Sequence, residues 1–367
     1  MGATGIKRAV SSKLLVLCGG RSAERDVSCV SAAAIVRNLS PRYRPVLVRI
    51  DPEGRWHFQR DPSAFARHPS PFKYRFDRVP VRIEPGPRPA LLVGPLGSAK
   101  RIFVDAVFPA LHGPLGEDGT LQGLLEFHGL PYVGCDVLGS AVAMDKEMTK
   151  RLAGEAGLPL LPYAVLRSPT ELGGARKLRF PVFVKPIRLG SSVGVYKVDH
   201  VAGLASAVRR AFRFDTTVVV EQGVPAREIE CAVLGRTGRA RSSIPGEIKP
   251  NADFYSYEAK YIDPDGAELI VPANLPARSV RRVQTLAVRA FETLGCYGMG
   301  RVDFLMDRRS GKLWFNEINT IPGFTAISMY PKLWGASGLP FPRLIDRLID
   351  LAVARHRERS NLRQTRD

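Results

Sequence analysis

The sequence predicts an α/β fold of more than one domain, on three observations. The apolar run KLLVLCGG ends in glycines and leads through RSAERDVS into the helical pattern VSCVSAAAIVRNL, the strand, loop and helix of an α/β opening. Between Gly298 and Gly323 the β-prone runs VDFLM and KLWFNEI flank the turn residues DRRSG, which predicts an antiparallel hairpin. A chain of 367 residues, 45% of them hydrophobic, exceeds one simple core and predicts two or three domains.

After the opening unit, residues 60–100 are rich in Pro and Arg and weak in periodicity, and are expected to be irregular or excursion sequence. The strand FVDAVFPAL follows, then the Gly-rich loop HGPLGEDGT, whose Asp118 can cap the helix TLQGLLEFHG, then the short strand LPYVG. His112 and Glu117 fall at the carboxyl end of FVDAVFPAL, the edge where open α/β sheets bind ligands, so His112 is a substrate-site candidate of second rank. A lone His beside a loop is more often structural.

The character changes near residue 145, where AMDKEMTKRLAGEAG reads as a helix stopped by Gly157 and Pro159, and a domain boundary is placed at Ala143. The strand FPVFVKP ends at Lys185, because Pro186 removes a donor and restricts its neighbour. In the loop IRLGSSVGV, Gly190, Ser191, Ser192 and Gly194 supply free N–H groups and two hydroxyls, as wrapping a phosphate requires. The Walker A spacing is absent, and such a run alone is more often a plain turn. TTVVVEQGV ends at Glu221, and the alternating strand REIECAVLG carries Glu228; carboxylates there suit an adenine amino group or ribose hydroxyls. FYSYEAKYIDPDG, with three tyrosines, charges and a Pro/Gly exit, reads as a mobile lid, although such loops are commonly inert.

In the hairpin, Arg301 and Asp303 share one face of the first strand, and Glu317 and Asn319 share one face of the second. Folding about Ser310 sets Asp303 opposite Glu317, within one residue. Three oxygen ligands and a guanidinium then converge, a set suited to magnesium and nucleotide phosphate. A surface hairpin with ordinary ion pairs is the alternative, weakened by the Gly-rich flanks.

The formal charge of +19 raises nucleic-acid binding, but the arginines are dispersed, and the densest cluster is the tail from Arg355 to Arg366. No specific nucleic-acid partner is expected, and residues 356–367 are expected to form a disordered basic tail. No apolar run approaches the roughly 20 residues that span a bilayer, and MGATGIKRAVSSK lacks a signal-type stretch, so a cytoplasmic protein without membrane partners is expected. The five cysteines are scattered, never spaced as CxxC, and read as small buried residues.

Together Lys146, Lys185, the GSSVG loop, Glu221, Glu228 and the Asp303/Glu317/Asn319 triplet match the ATP-grasp arrangement. The chain resembles the D-alanine:D-alanine ligases through GGRSAERDVS, LHGPLGEDGTLQG, AMDKEMTKRL, KPIRLGSSVGV, FYSYEAKYIDPDGAEL, GRVDF and NEINTIPGFTAISMYPKLW, which span nearly the whole chain.

That resemblance implies three α/β units with nucleotide between the last two: 1–143 with the D-alanine subsite, 144–222 with the phosphate loop, and 223–355 with the lid and metal site. It implies ATP-dependent joining of two D-alanines through an acyl phosphate for peptidoglycan precursor synthesis, with ATP and two Mg2+ ions, Mn2+ substituting, in a homodimer. Lys146 and Lys185 would hold the α and β phosphates and Lys260 the γ-phosphate; Ser192 belongs to the phosphate loop. Glu221 and Glu228 would bind adenine and ribose. Glu24 would pair with the first D-alanine's ammonium, Arg301 and the Gly323 N–H would stabilise the oxyanion, and Ser328 with Lys260 would take the second carboxylate. Ser191 and Tyr261 would join Glu24 in closing the lid, and Tyr261 favours the dipeptide over ester or D-serine products.

Overall fold

A run that is apolar at every position suits a strand covered on both faces, and Leu14–Cys18 are wholly buried in β1, Ser12–Gly19. The computed structural model describes residues 11–75, 77–86, 88–250 and 267–362. Beyond β1 lie parallel β2 (Tyr43–Ile50), then antiparallel β3 (Trp56–Gln59), β4 (Val79–Glu84), β5 (Ala90–Val93) and β6 (Lys100–Phe103). β7 (Ala106–Pro109) returns parallel on the other side of β1, giving the order β6-β5-β4-β3-β2-β1-β7. Because successive parallel connections leave β1 on opposite sides, a crevice opens at the carboxyl ends of β1 and β7.

α1 (Arg25–Arg37) crosses from β1 to β2 on small buried residues, Ser31 to Ala34, which let it lie close to the sheet. Its Ser28 hydroxyl accepts from the Gly19 N–H (2.8 Å) and donates to the Ala110 carbonyl (2.5 Å), tying the two crevice strands together.

Residues 60–100 form an excursion that extends the first sheet, and not the irregular stretch that was the other expectation. They include α2 (Pro62–Arg67) and the antiparallel extension β4–β5. Strands this short show little periodicity, and the prolines sit mainly at their ends.

α3 (Thr120–Phe127), α4 (Val137–Met144) and α5 (Lys146–Glu155) lead to a second sheet. Asp118 accepts from Thr120 N–H (3.0 Å) at the start of α3, and Asp145 caps α5 by accepting from Glu147 and Met148 N–H groups. The second sheet is antiparallel in the order β10-β9-β11-β8, from β8 (Tyr163–Leu166), β9 (Val182–Pro186), β10 (Tyr196–Val198) and β11 (Val218–Gln222). α6 (Gly173–Arg176) and α7 (Val201–Ala211) accompany it, α7 burying Leu204, Ala207 and Val208 against Val182, Val184 and Val218.

The third sheet comprises β12 (Ala226–Gly235), β13 (Arg241–Ser242), β14 (Gly246–Pro250), β15 (Ala267–Ile270), β16 (Gly298–Asp307) and β17 (Leu313–Asn319). Its main order is β15-β14-β12-β16-β17, with β13 beside β12. α8 (Ala277–Thr293) packs beneath it, and α9 (Met329–Ala336) and α10 (Phe341–Ser360) complete the described chain. All five cysteines are free and buried, as expected. Among the described residues no helix is long and apolar enough to cross a membrane.

α10 bridges the third sheet and the first. Leu344, Ile345, Leu348 and Ile349 join Leu14, Val16 and Phe108 of the first sheet in one core. Residues 356–360, expected in a disordered tail, are helical, because α10 is anchored from its end. The buried Arg355 guanidinium donates to the carbonyls of Gly134 (2.6 Å) and Tyr132 (2.9 Å) and lies 4.4 and 4.9 Å from the rings of Tyr132 and Tyr297. Arg359 pairs with Glu126 and Asp136, each at 2.6 Å. Arg355→Met leaves two buried carbonyls without their donors and is expected to cost roughly 2–3 kcal/mol in urea unfolding. Arg359→Met, at an exposed pair, should cost less than about 1 kcal/mol; equal losses would overturn this assignment of the anchor.

Candidate active site

The β16–β17 hairpin places Arg301 opposite Asn319 and Asp303 opposite Glu317, with a register shift between Asp303 and Phe304. Phe315 and Ile318 are both buried although three residues apart. The extra residue, Asn316, reverses the strand's parity, so that Glu317 and Asn319 share the face of Arg301 and Asp303 while both apolar residues stay in the core. Asp307 fixes the turn by accepting from Arg309 and Ser310 N–H groups (3.1 and 2.6 Å).

Arg301 grips Asp303 through two hydrogen bonds of 2.8 and 2.7 Å and lies 3.1 Å from Glu230 of β12. Burial pushes its guanidinium down, but Asp303 and Glu230 outweigh that and hold it firmly charged. Asn319 Oδ1 accepts from the Ile321 N–H (3.0 Å). Among the described residues no three Asp, Glu, His or Cys side chains form a metal cluster; the third donor here is the Asn319 amide oxygen. The set is oxygen-only and on one face, which fits a hard divalent cation.

Lysines gather beside this face. Lys146, at the start of α5, donates to the Leu189 carbonyl (2.6 Å) and lies 3.9 Å from Glu317. Burial lowers the Lys146 pKa; Glu317 raises it, and the nearby Lys185 and Lys150 charges add to the lowering. Lys185 of β9 donates to Glu221 of β11 (2.7 Å), whose other oxygen is contacted by Lys150 of α5. Burial pushes the Glu221 carboxyl up, but the two ammoniums together draw it down to about 2. Lys185 is lowered by burial and raised by Glu221, with the net shift upward, and the half-buried Glu228 adds to the rise.

The phosphate-loop candidate follows β9. Ser191 and Ser192 have positive φ, 51° and 60°, which turns successive N–H groups into a concave nest. The Ser191 hydroxyl donates to Glu24, from the loop after β1, which joins this loop to the first sheet's crevice. Glu24 is enclosed closely: a Cβ on Gly113 would stand 2.8 Å from its Oε2.

His112 is buried behind Glu24. Its Nε2 is 2.9 Å from the Ser31 hydroxyl and its Nδ1 is 3.0 Å from the Ile321 carbonyl, while Ser31 accepts from the Phe324 N–H (3.2 Å). His112 therefore links α1 to the loop carrying Gly323 and Ser328. In that loop the Ser328 hydroxyl accepts from Thr325 N–H (3.0 Å), and a Cβ on Gly323 would stand 2.5 Å from it.

Glu117 lies 3.7 Å from His112. Burial pushes its carboxyl from the ordinary 4.5 up to about 7; His112 pulls it down and the Glu24 charge pushes it up. The folded chain thus binds this proton more tightly than the unfolded chain. Its stabilising contribution is full below pH 4.5 and is lost as pH rises through about 7. Melting temperature is expected to fall across that window, and Glu117→Gln to flatten the fall; an unchanged slope would contradict the assignment.

The structure thus brings Glu24, His112 and Ser191 together, and gathers Lys146, Lys185, Glu221, Arg301, Asp303, Glu317 and Asn319 at neighbouring sheets. Lys260, Tyr261 and the lid lie outside the described residues. Sequence reasoning missed Lys150, Glu230 and Ser31. Lys150 stands four residues after Lys146, on the same helix face, and Glu230 two after Glu228, on the same strand face; Ser31 gave no sign.

Residues 13–135 match the family described as D-ala D-ala ligase N-terminus, and residues 152–350 match D-ala D-ala ligase C-terminus. A D-alanine–D-alanine ligase A of Bradyrhizobium diazoefficiens is 47% identical, covering 95% of this chain and 97% of its own. That of Escherichia coli is 45% identical, covering 95% and 98%. Among solved structures, the D-alanine–D-alanine ligase of Coxiella burnetii superposes with a TM-score of 0.84 at 39% identity, over 96% of this chain and 97% of that one. A D-Ala:D-Ser ligase of Enterococcus faecalis gives 0.83 at 35%, over 93% and 99%.

Proposed function

Because the chain belongs to the D-alanine–D-alanine ligase family, we propose that the face shared by Lys146, Lys185, Arg301, Asp303, Glu317 and Asn319 is where its ATP is used. The protein is an ATP-dependent ligase with the ATP-grasp fold that joins two D-alanines for peptidoglycan precursors. The carboxylate of one D-alanine attacks the γ-phosphoryl of ATP, releasing ADP; the amine of the second attacks the acyl phosphate, releasing phosphate. Phosphorylation is needed because a carboxylate lacks a leaving group.

The observation that supports this site best is that Glu24 from the first sheet reaches Ser191 of the phosphate loop, so that amino-acid and nucleotide subsites adjoin. Glu24 would bind the first ammonium, and Ser191, with Tyr261, would close the site and help deprotonate the incoming amine. Lys146, Lys185 and the Ser191–Ser192 nest would hold the α and β phosphates, Lys260 the γ-phosphate, and Glu228 the ribose. Glu221, whose oxygens both meet lysines, would border the adenine. Asp303, Glu317 and Asn319 would hold two Mg2+ ions, or Mn2+, which supply charge neutralisation on the phosphates. Arg301 and the Gly323 N–H would stabilise the tetrahedral oxyanion, Ser328 would bind the second carboxylate, and His112 would hold the Gly323 loop against α1.

The three units would divide at residues 143 and 222, with nucleotide between the second and third, in the cytoplasm. A homodimer would use α3 and α4, whose Leu124, Phe127 and Leu138 are exposed, Phe127 by 85%; Phe127→Glu would then yield a monomer on light scattering.

The reading is tested by phosphate release from MgATP with D-alanine, L-alanine, D-serine plus D-alanine, D-lactate plus D-alanine, or no addition, with products weighed by mass spectrometry. D-alanyl-D-alanine supports it. Preference for D-serine, which the likeness to a D-Ala:D-Ser ligase makes worth testing, would reassign the second subsite, and no release would refute it.

A further inference from the structure

Lys150 is almost wholly buried, its side chain 2% exposed, and it ends against a carboxylate, Glu221, whose side chain is 3% exposed. The same carboxylate receives the Lys185 ammonium at 2.7 Å through its other oxygen. Lys150 also lies 5.7 Å from the ring of Tyr163, a residue paired with Glu221 across β8 and β11. A long buried lysine is costly unless it is paired, and this one has been brought from α5 to the centre of a β-sheet.

We infer that Lys150 is a positioning residue for the nucleotide: by sharing Glu221, it keeps the Lys185 ammonium from being neutralised and fixes where that ammonium stands. This rests on the placement of ATP phosphates at Lys185 proposed above. One carboxylate between two ammoniums leaves a net single positive charge, and Lys185, at 17% side-chain exposure, is the more open of the two. If Lys150 loses its charge, Lys185 is the charged hydrogen-bond partner that Glu221 keeps among the described residues. The ammonium is drawn fully onto the carboxylate, and an incoming phosphate meets a neutral pair instead of a cation.

Four proteins test this by calorimetric binding of MgATP and by steady-state kinetics: the wild type, Lys150→Met, Glu221→Gln and the double variant. Lys150→Met should raise the Kd and KM for ATP roughly tenfold or more, the scale of one charge-assisted hydrogen bond. KM for D-alanine and kcat at saturating ATP should stay within about threefold, because uniform binding has been lost and not transition-state binding. The double variant should bind ATP about as well as Glu221→Gln alone, since a lysine acting through Glu221 has nothing left to act on.

Unchanged ATP affinity in Lys150→Met overturns the inference. So do losses that add independently in the double variant, which would mark Lys150 as a packing residue only. Should Lys150→Met fail to fold, Lys150→Gln, which can still donate to Glu221 but carries no charge, makes the same comparison with the wild type and should weaken MgATP binding likewise. Failure of the wild type to bind MgATP would instead overturn the ligase site itself, a result distinguishable from the others.

Discussion

Arg301→Met lowers kcat by roughly 10²- to 10³-fold, the loss expected when one preorganised oxyanion donor is removed. The guanidinium is immobile before substrate arrives, because Asp303 takes both its Nε and Nη2 hydrogens and Glu230 stands 3.1 Å away. Such preorganisation makes a donor effective, since no reorientation is required as charge develops. The same contacts make the substitution costly for folding. Glu230 and Asp303 are direct partners across β12 and β16, so methionine leaves two carboxylates face to face, with an expected loss of about 3–5 kcal/mol. Arg301→Lys separates the effects: it keeps a charge but loses the planar fork. It should melt much closer to wild type and still turn over at least roughly tenfold more slowly in rapid-quench phosphate release. Full activity in the lysine variant would remove Arg301 from the chemistry.

Gly113→Ala is expected to reproduce much of the effect of Glu24→Gln without touching a charge. Gly113 has φ +76°, which L side chains rarely adopt, and a Cβ there would stand 2.8 Å from Glu24 Oε2. The carboxylate must move, and its contact with Ser191 moves with it. Losing one charge-assisted hydrogen bond to the substrate ammonium corresponds to about 2 kcal/mol, so the KM for D-alanine at the first subsite should rise roughly 10- to 100-fold in both variants. KM for ATP should change less than about threefold if the two subsites are distinct. If Gly113→Ala instead raises only the ATP value, Glu24 belongs to the nucleotide side.

The hairpin facing of Arg301, Asp303, Glu317 and Asn319 was legible because side chains alternate along each strand and the turn residues mark where it folds; the bulge at Asn316 lay outside that reading, because it shows only once Phe315 and Ile318 are both seen to be buried. The extension through β4 and β5 was not legible, because strands of four to six residues bounded by prolines carry too few positions to show a period. The lysine set was half legible: Lys146 and Lys185 carried motif signals, whereas Lys150 looks like an ordinary solvent-facing helix lysine until Glu221 is seen beneath it. The docking of α10 on the first sheet had no local signature at all, because an amphipathic helix shows that it has a partner and not which one.

That docking sets an order of events during synthesis. β1 and α1 are among the first elements made, yet the core they enter is completed by Leu344, Ile345 and Leu348, more than 300 residues later. A nascent chain therefore carries an incomplete first core while both later sheets are still emerging, with apolar surface open to chaperones or to other chains. Only when α10 is released and Arg355 reaches the carbonyls of Tyr132 and Gly134 does the opening unit acquire its full stability. The second and third sheets thus have the chance to fold on a scaffold that has not yet closed.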